Sequence, residues 1–156
     1  MDGRRLPAGF TNQSGIQRHA VRLYLSADAH NVDWQAFRSH RRLHDGEVAG
    51  LEAALAAGKT SNTCSDVAIA FYTTLKKHGF EKESRCGYAG IDWTEPTASL
   101  KEGDMTALKP NMTFQLMLGN WIGEDVGYVI SEIFRVTDAG GEPFTKLPRE
   151  LFEISA

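Results

Sequence analysis

From Trp34 to about Ala57 the apolar residues Trp34, Phe37, Val48, Leu51 and Leu55 recur at helical spacings. The alanine-rich run Glu52 to Ala57 has high helix propensity, and Gly58 closes it. This pattern predicts a long helix with a break near Asp45-Gly46. A second helix follows. Thr63 is placed to cap it and Asp66, three residues on, to complete a capping box. Val67, Phe71 and Leu75 form its buried stripe, Lys76, Lys77 and His78 suit the negative end of its dipole, and Gly79 ends it.

Beyond residue 84 the period changes to two. Met112, Phe114, Leu116 and Leu118 alternate with Thr113, Gln115 and Met117, and Tyr128, Ile130, Phe134 and Val136 alternate with Val129, Ser131, Ile133 and Arg135. Strands are predicted over 112–122 and 128–137. The short polar link Gly123-Glu124-Asp125 makes them an antiparallel hairpin, and Asp138-Ala139-Gly140-Gly141 turns the chain again. Upstream, only 21–25 (Val-Arg-Leu-Tyr-Leu) reads as a short strand in a polar stretch broken by Pro7, Gly9 and Gly15. Helices first and an antiparallel sheet afterwards is the α+β pattern: two helices packed on an antiparallel sheet.

The 156 residues suit one domain, 1–156. With 17 Lys and Arg against 20 Asp and Glu, the net charge of −3 offers no basic excess for a phosphate backbone, so nucleic acid is not an expected partner. No stretch approaches the ~20 apolar residues of a membrane span, so no membrane partner is expected either. The first thirty residues hold no apolar block of the secretory kind, which points to a cytoplasmic protein. In that compartment the two cysteines, Cys64 and Cys86, are expected as reduced thiols.

Three features carry candidate chemistry. His40 and His44 stand four apart on the first helix with Asp45 adjacent, a spacing that suits zinc. No Glu follows His40 as a hydrolytic motif requires, however, and Arg38, Arg41 and Arg42 raise the local positive charge, which favours a solvated basic helix face. Glu95 lies in Asp92-Trp93-Thr94-Glu95-Pro96, either as a loop-surface residue or as a functional carboxylate. Glu132 interrupts the apolar face of Tyr128, Ile130, Phe134 and Val136. It is either an edge-strand charge that blunts aggregation or an inward carboxylate that is paired or functional.

The run Arg85-Cys86-Gly87-Tyr88-Ala89-Gly90 is followed by Asp92 to Leu100, the loop Lys101-Glu102-Gly103-Asp104, and Leu108-Lys109-Pro110-Asn111-Met112-Thr113-Phe114. The chain closes with Ser131-Glu132 through Val136-Thr137 to Leu147-Pro148-Arg149-Glu150-Leu151-Phe152. In this order the segments resemble the C-terminal catalytic part of the pita-bread hydrolases, the superfamily of Xaa-Pro aminopeptidases, methionine aminopeptidases and creatinase. The similarity is strongest over 45–154 and closest to the ectoine hydrolase branch. It implies a partial pita-bread fold and hydrolysis of a C–N bond in a small nitrogen compound.

Metallopeptidases of this superfamily hold two divalent metals with two Asp, one His and two Glu. The resemblance sets Tyr88 at the histidine position, Met117 at the first glutamate and Ser131 at the second, with Glu132 beside it. No Asp pair occurs in residues 10–25. A thioether and a hydroxyl do not replace carboxylates for hard cations, so no metal cofactor is expected. By the same resemblance the catalytic candidates are Glu95 and Glu132 as carboxylates, Tyr88 as a hydrogen-bond donor and His19, within Gln17-Arg18-His19-Ala20, as an acid or base. The family also carries an N-terminal domain and a first half of the sheet ahead of this point. The expectation is therefore a truncated catalytic domain with a small-molecule substrate and a homodimer that rebuilds the missing sheet edge. Three readings stay open: a metal-independent hydrolase, a non-catalytic remnant or interaction module, and an Xaa-Pro aminopeptidase-like metallopeptidase.

Overall fold

The computed structural model describes residues 34–82, 85–89, 98–122 and 126–151. Helix α1 spans Trp34–Ala57 and helix α2 spans Cys64–Lys77. They are followed by strands β1 (Gly87–Ala89), β2 (Ser99–Leu100), β3 (Thr113–Ile122), β4 (Val126–Val136) and β5 (Gly141–Pro143). All neighbours are antiparallel, in the order β2-β1-β3-β4-β5. The two helices pack on one face of this five-stranded sheet, and no described helix is long and apolar enough to cross a membrane. The short strand expected over 21–25 lies outside the described residues.

Alternation along β3 and β4 sends Phe114, Leu116, Leu118, Tyr128, Ile130, Phe134 and Val136 to the helix side, where all are buried. Phe114 and Phe134, direct cross-strand partners, stack with ring centres 5.8 Å apart. Leu43, Leu51, Ala54 and Leu55 from α1 and Val67, Phe71 and Leu75 from α2 complete the core. Cys64 and Cys86 are buried free thiols within it. Burial raises them to about 11 and about 12, so neither is a nucleophile near neutral pH.

Helix α1 is continuous through Asp45-Gly46, where a break was expected. A Cβ at Gly46 would lie 3.0 Å from the Cβ of His78, at the end of α2. The glycine lets the two helices approach closely and does not interrupt α1. At the start of α2 the Asp66 amide donates to Thr63 Oγ1 (3.2 Å) and the Thr63 amide donates to Asp66 Oδ2 (2.7 Å), the reciprocal capping box. The Thr63 amide and then the Thr63 hydroxyl, which donates to Asp66 Oδ2 at 2.8 Å, hold the Asp66 carboxyl below its ordinary range. Thr63→Ala is expected to lower stability by about 1 kcal/mol in urea denaturation and to return the Asp66 titration toward that of a free carboxylate. An unchanged midpoint would count against the cap.

The linker between the helices is tied to the far end of the sheet. Thr60 donates its amide to Thr137 O (3.0 Å), and Leu108 donates to Asn62 O (2.8 Å). The helix layer is thereby held to one side, and no described helix packs on the other face of β1, β3 and β4.

Candidate active site on the second sheet face

Residues that alternate with the core set occupy this second face. Tyr88 of β1 pairs with Gln115 of β3, and Met117 pairs with Ser131 of β4. The three polar side chains form one hydrogen-bonded line. Tyr88 Oη donates to Gln115 Oε1 (3.3 Å), Gln115 Nε2 donates to Ser131 Oγ (3.1 Å), and Ser131 Oγ donates to Leu116 O (3.0 Å). A satisfied polar line of this kind fixes rotamers and orients its remaining donors and acceptors. Close approach of β1 to β3 sets its geometry. A Cβ at Gly87 would stand 2.2 Å from Gln115 O, so glycine alone permits the pairing that delivers Tyr88 to Gln115. The Arg85 guanidinium lies 5.3 Å from the centre of the Tyr88 ring, in cation–π contact.

Of the four expected catalytic residues two are described, Tyr88 and Glu132, and they lie on opposite faces of the sheet. Tyr88 belongs to the line just described. Glu132 lies on the opposite, helix-facing side of β4, 5% exposed and directly across from Leu116. Thr145 Oγ1 lies 2.9 Å from each of its oxygens, Ile133 N donates to Oε1 (3.2 Å), and Arg149 Nη2 donates to Oε2 (3.2 Å). Arg149 also pairs with Glu52 of α1. Of the readings open for Glu132, the inward, paired carboxylate is the one this arrangement fits. Glu95 and His19 lie outside the described residues. Gln115 was not singled out by the sequence reading. Its signal is its place two residues before Met117 in an alternating strand, which puts both on one face.

His40 and His44 correct an expectation. The arginines beside them, Arg38, Arg41 and Arg42, are exposed as a solvated face requires, but both histidines are buried. Their rings meet the Tyr128 ring edge-on at 6.0 Å and 5.2 Å. His44 Nδ1 is 3.0 Å from Asp45 Oδ1, while Nε2 of both histidines has no hydrogen-bond partner. One turn further, Glu47 is fully buried with both oxygens unpartnered. Burial pushes its carboxyl up to about 7, against smaller opposing effects of Lys82 and Asn120. Burial, and then the neighbouring His44, lower His40. Tyr128 is raised to about 12, first by burial and then by Glu47. Among the described residues no three His, Cys, Asp or Glu side chains are grouped to hold a metal ion.

A family model described as Metallopeptidase family M24 matches residues 24–138. The uncharacterised hydrolase/peptidase y4tL of Sinorhizobium fredii is 72% identical over 115 residues, covering 73% of this chain and 30% of the relative. The ectoine hydrolase of Halomonas elongata is 39% identical over 117 residues, covering 71% of this chain and 29% of the relative. The chain thus spans about 30% of the length of the curated relatives it matches. Among solved structures, the X-Pro aminopeptidase of Thermotoga maritima superposes with a TM-score of 0.65 at 20% identity, over 72% of this chain and 32% of that one. The prolidase of Pyrococcus horikoshii gives 0.67 at 19% identity, over 74% and 34%. These likenesses place the two helices and the sheet as part of the pita-bread fold.

Proposed function

The chain belongs to metallopeptidase family M24, and we propose that it carries part of the catalytic domain of a hydrolase that opens a C–N bond of a small nitrogen compound without a divalent metal pair. The line Tyr88–Gln115–Ser131 carries this reading, because its two ends, Tyr88 and Ser131, and the neighbouring Met117 stand at positions that family resemblance assigns to metal ligands. Its donor set is a phenol, a carboxamide, a thioether and a hydroxyl whose proton is given to Leu116 O. None is an anionic oxygen or an imidazole, and hard divalent cations take oxygen ligands with carboxylates among them. The residues present do not fit the metal pair.

What this face offers is hydrogen bonding. The second N–H of the half-buried Gln115, whose carboxamide Tyr88 holds in place, is suited to donate to a polar C–N group and to stabilise charge that develops on it. The base and acid are proposed to be Glu95 and His19, on family resemblance. The ectoine hydrolase relative makes a cyclic amidine the first compound to test. A non-catalytic remnant is the second reading, favoured because the carboxylate described on this face, Glu142 of β5, is paired with Arg135 and bonds to no member of the Tyr88–Gln115–Ser131 line.

Incubation with ectoine and with an Xaa-Pro dipeptide, each with manganese or with chelator, separates the readings. Turnover of ectoine that chelator leaves unchanged is the expected result, together with no tight site in a calorimetric manganese titration. Dipeptide cleavage that needs manganese would overturn the proposal in favour of a metallopeptidase, and loss of both activities would leave the remnant.

A further inference from the structure

Helix α1 is held in two different ways along its length. From Gly50 onward it contributes Leu51, Ala54 and Leu55 to the core, and a Cβ at Gly50 would stand 2.6 Å from the Phe71 ring of α2. Over residues 38–47, by contrast, Leu43 is the one buried apolar side chain beside three buried polar ones, His40, His44 and Glu47. This half meets the end of the β3–β4 hairpin, where the Tyr128 ring touches both imidazoles. Five buried polar atoms there have no hydrogen-bond partner: Nε2 of His40 and of His44, both oxygens of Glu47, and Nδ2 of Asn120. An interface that leaves such groups dry gains little over the separated, hydrated state. On the other side of the helix, exposed Arg42 lies 3.5 Å from His78 O and 6.0 Å from the centre of the Phe80 ring, contacts that solvent weakens. Gly46 and Gly50, one turn apart, lower helix propensity where the two halves join, and the first turn has no acidic residue to meet the helix dipole.

We infer that α1 up to Glu47 is a proton-operated flap, which lies on the hairpin while Glu47 keeps its proton and detaches and unwinds when Glu47 loses it, the rest of α1 staying in place. Glu47 is faced by His40 and His44 of its own helix, with Asp45 on His44, and by Lys82 and Cys86 from the segment between α2 and β1. Asn120 of β3 and Tyr128 of β4 complete its surroundings. Lys82, the cation of this set, gives its ammonium to Gly119 O at 2.7 Å, so a carboxylate formed at Glu47 gains no hydrogen bond from it. Water is the remaining source of solvation, and the flap must lift to admit it. Once lifted, a helix this short is marginal in water and loses its backbone bonds. The second half has no such weakness, since its buried side chains are apolar and its glycine is locked on α2. Protonation of His40 also favours the lifted state, so acid opens the flap from the other side. Lifting uncovers Tyr128 and Asn120 at the end of the hairpin.

Hydrogen exchange of the backbone amides, read residue by residue in the full chain and corrected for the intrinsic rate at each pH, tests it. In the wild type at about pH 8, amides 42–46 should exchange faster than amides 52–57, at a rate that urea below the unfolding transition leaves unchanged. Amides 52–57 should speed up with urea, as exchange through opening of the core requires. Glu47→Gln keeps the shape without the charge. It should slow exchange of 42–46 about thirtyfold at about pH 8, where His40 is neutral whether the flap is down or lifted. At about pH 5, where Glu47 of the lowered flap holds its proton, variant and wild type should agree within about threefold. One urea dependence shared by both halves of α1 overturns the inference, and the wild type alone decides that point. Exchange of 42–46 as fast in Glu47→Gln as in the wild type at about pH 8 overturns it too, since fraying from the helix end would not depend on the Glu47 charge.

Discussion

Replacement of Glu47 by glutamine will raise stability at pH 8 by about 2 kcal/mol and remove a fall in stability that the wild type shows as pH rises. Glu47 is fully buried, and neither carboxylate oxygen has a hydrogen-bond partner. His44 on its own helix, Lys82, Cys86, Asn120 of β3 and Tyr128 of β4 are the polar groups around it. Its carboxyl stands at about 7 in the fold against an ordinary 4.5, a difference worth about 3 kcal/mol between the neutral and ionised forms. An acid with a raised pKa holds its proton longer when folded. Its contribution is therefore complete below about pH 4.5 and is lost as the pH climbs to about 7. His40 works the other way. Its pKa is lowered from 6.5, so its contribution is intact above that value and is lost as the pH falls. The two oppose each other in the acid range, and above 6.5 the ionisation of Glu47 dominates. The amide of the variant keeps the shape without the charge, at about 1 kcal/mol for a buried amide with incomplete bonding. Urea midpoints of wild type and Glu47→Gln between about pH 5 and 8 check this. Superimposable profiles would show that the carboxylate is solvated or paired after all.

This cluster marks where the sequence was least legible. Residues 40, 44 and 47 fall on one side of a helix, but the arginines around them read as a solvated face, and nothing local says which turn meets a sheet. Tyr128, more than eighty residues away, decides it by placing its ring against both imidazoles. By contrast, β3 and β4 were legible because each runs ten or more residues with one face buried, which specifies period and register together. The expected spans 112–122 and 128–137 differ from the observed strands by two residues or fewer. Strands β1 and β2, three and two residues long, are too short to show alternation, and Gly87 marks β1 only through the close approach it permits. The capping box at Thr63 and Asp66 was legible for the opposite reason, since its donors and acceptors lie within four residues.

The candidate site was legible in part. Tyr88, Met117 and Ser131 stand on one face as the period-two pattern requires, and Gln115 joins Tyr88 to Ser131 because it shares that parity. Glu132, one residue from Ser131, must point the other way. The conflict that its charge created on an apolar strand face was visible in the sequence, but its resolution was not, because Thr145 and Arg149 arrive from a segment without regular structure.

Glu132→Ala will cost about 3 kcal/mol of stability, the lower end of the range for removing one partner of a buried ion pair. The loss leaves the Arg149 guanidinium facing the core without its buried acid, and Thr145 without its acceptor. The penalty stays at the lower end because Arg149 is 22% exposed and retains Glu52. Arg149→Ala should cost a similar amount, since it strands the carboxylate, and the double variant should cost clearly less than the two together, as partners in one network require. Glu132→Gln separates anchoring from chemistry. If Glu132 acts by holding the 145–149 segment against α1, the amide variant loses part of the stability, is rescued toward wild type by Arg149→Met, and keeps whatever turnover the folded fraction shows. A Glu132→Gln protein of wild-type stability with its turnover abolished would instead require the carboxylate to reach the reacting atoms, through a sheet whose opposite face carries Tyr88, Gln115 and Ser131.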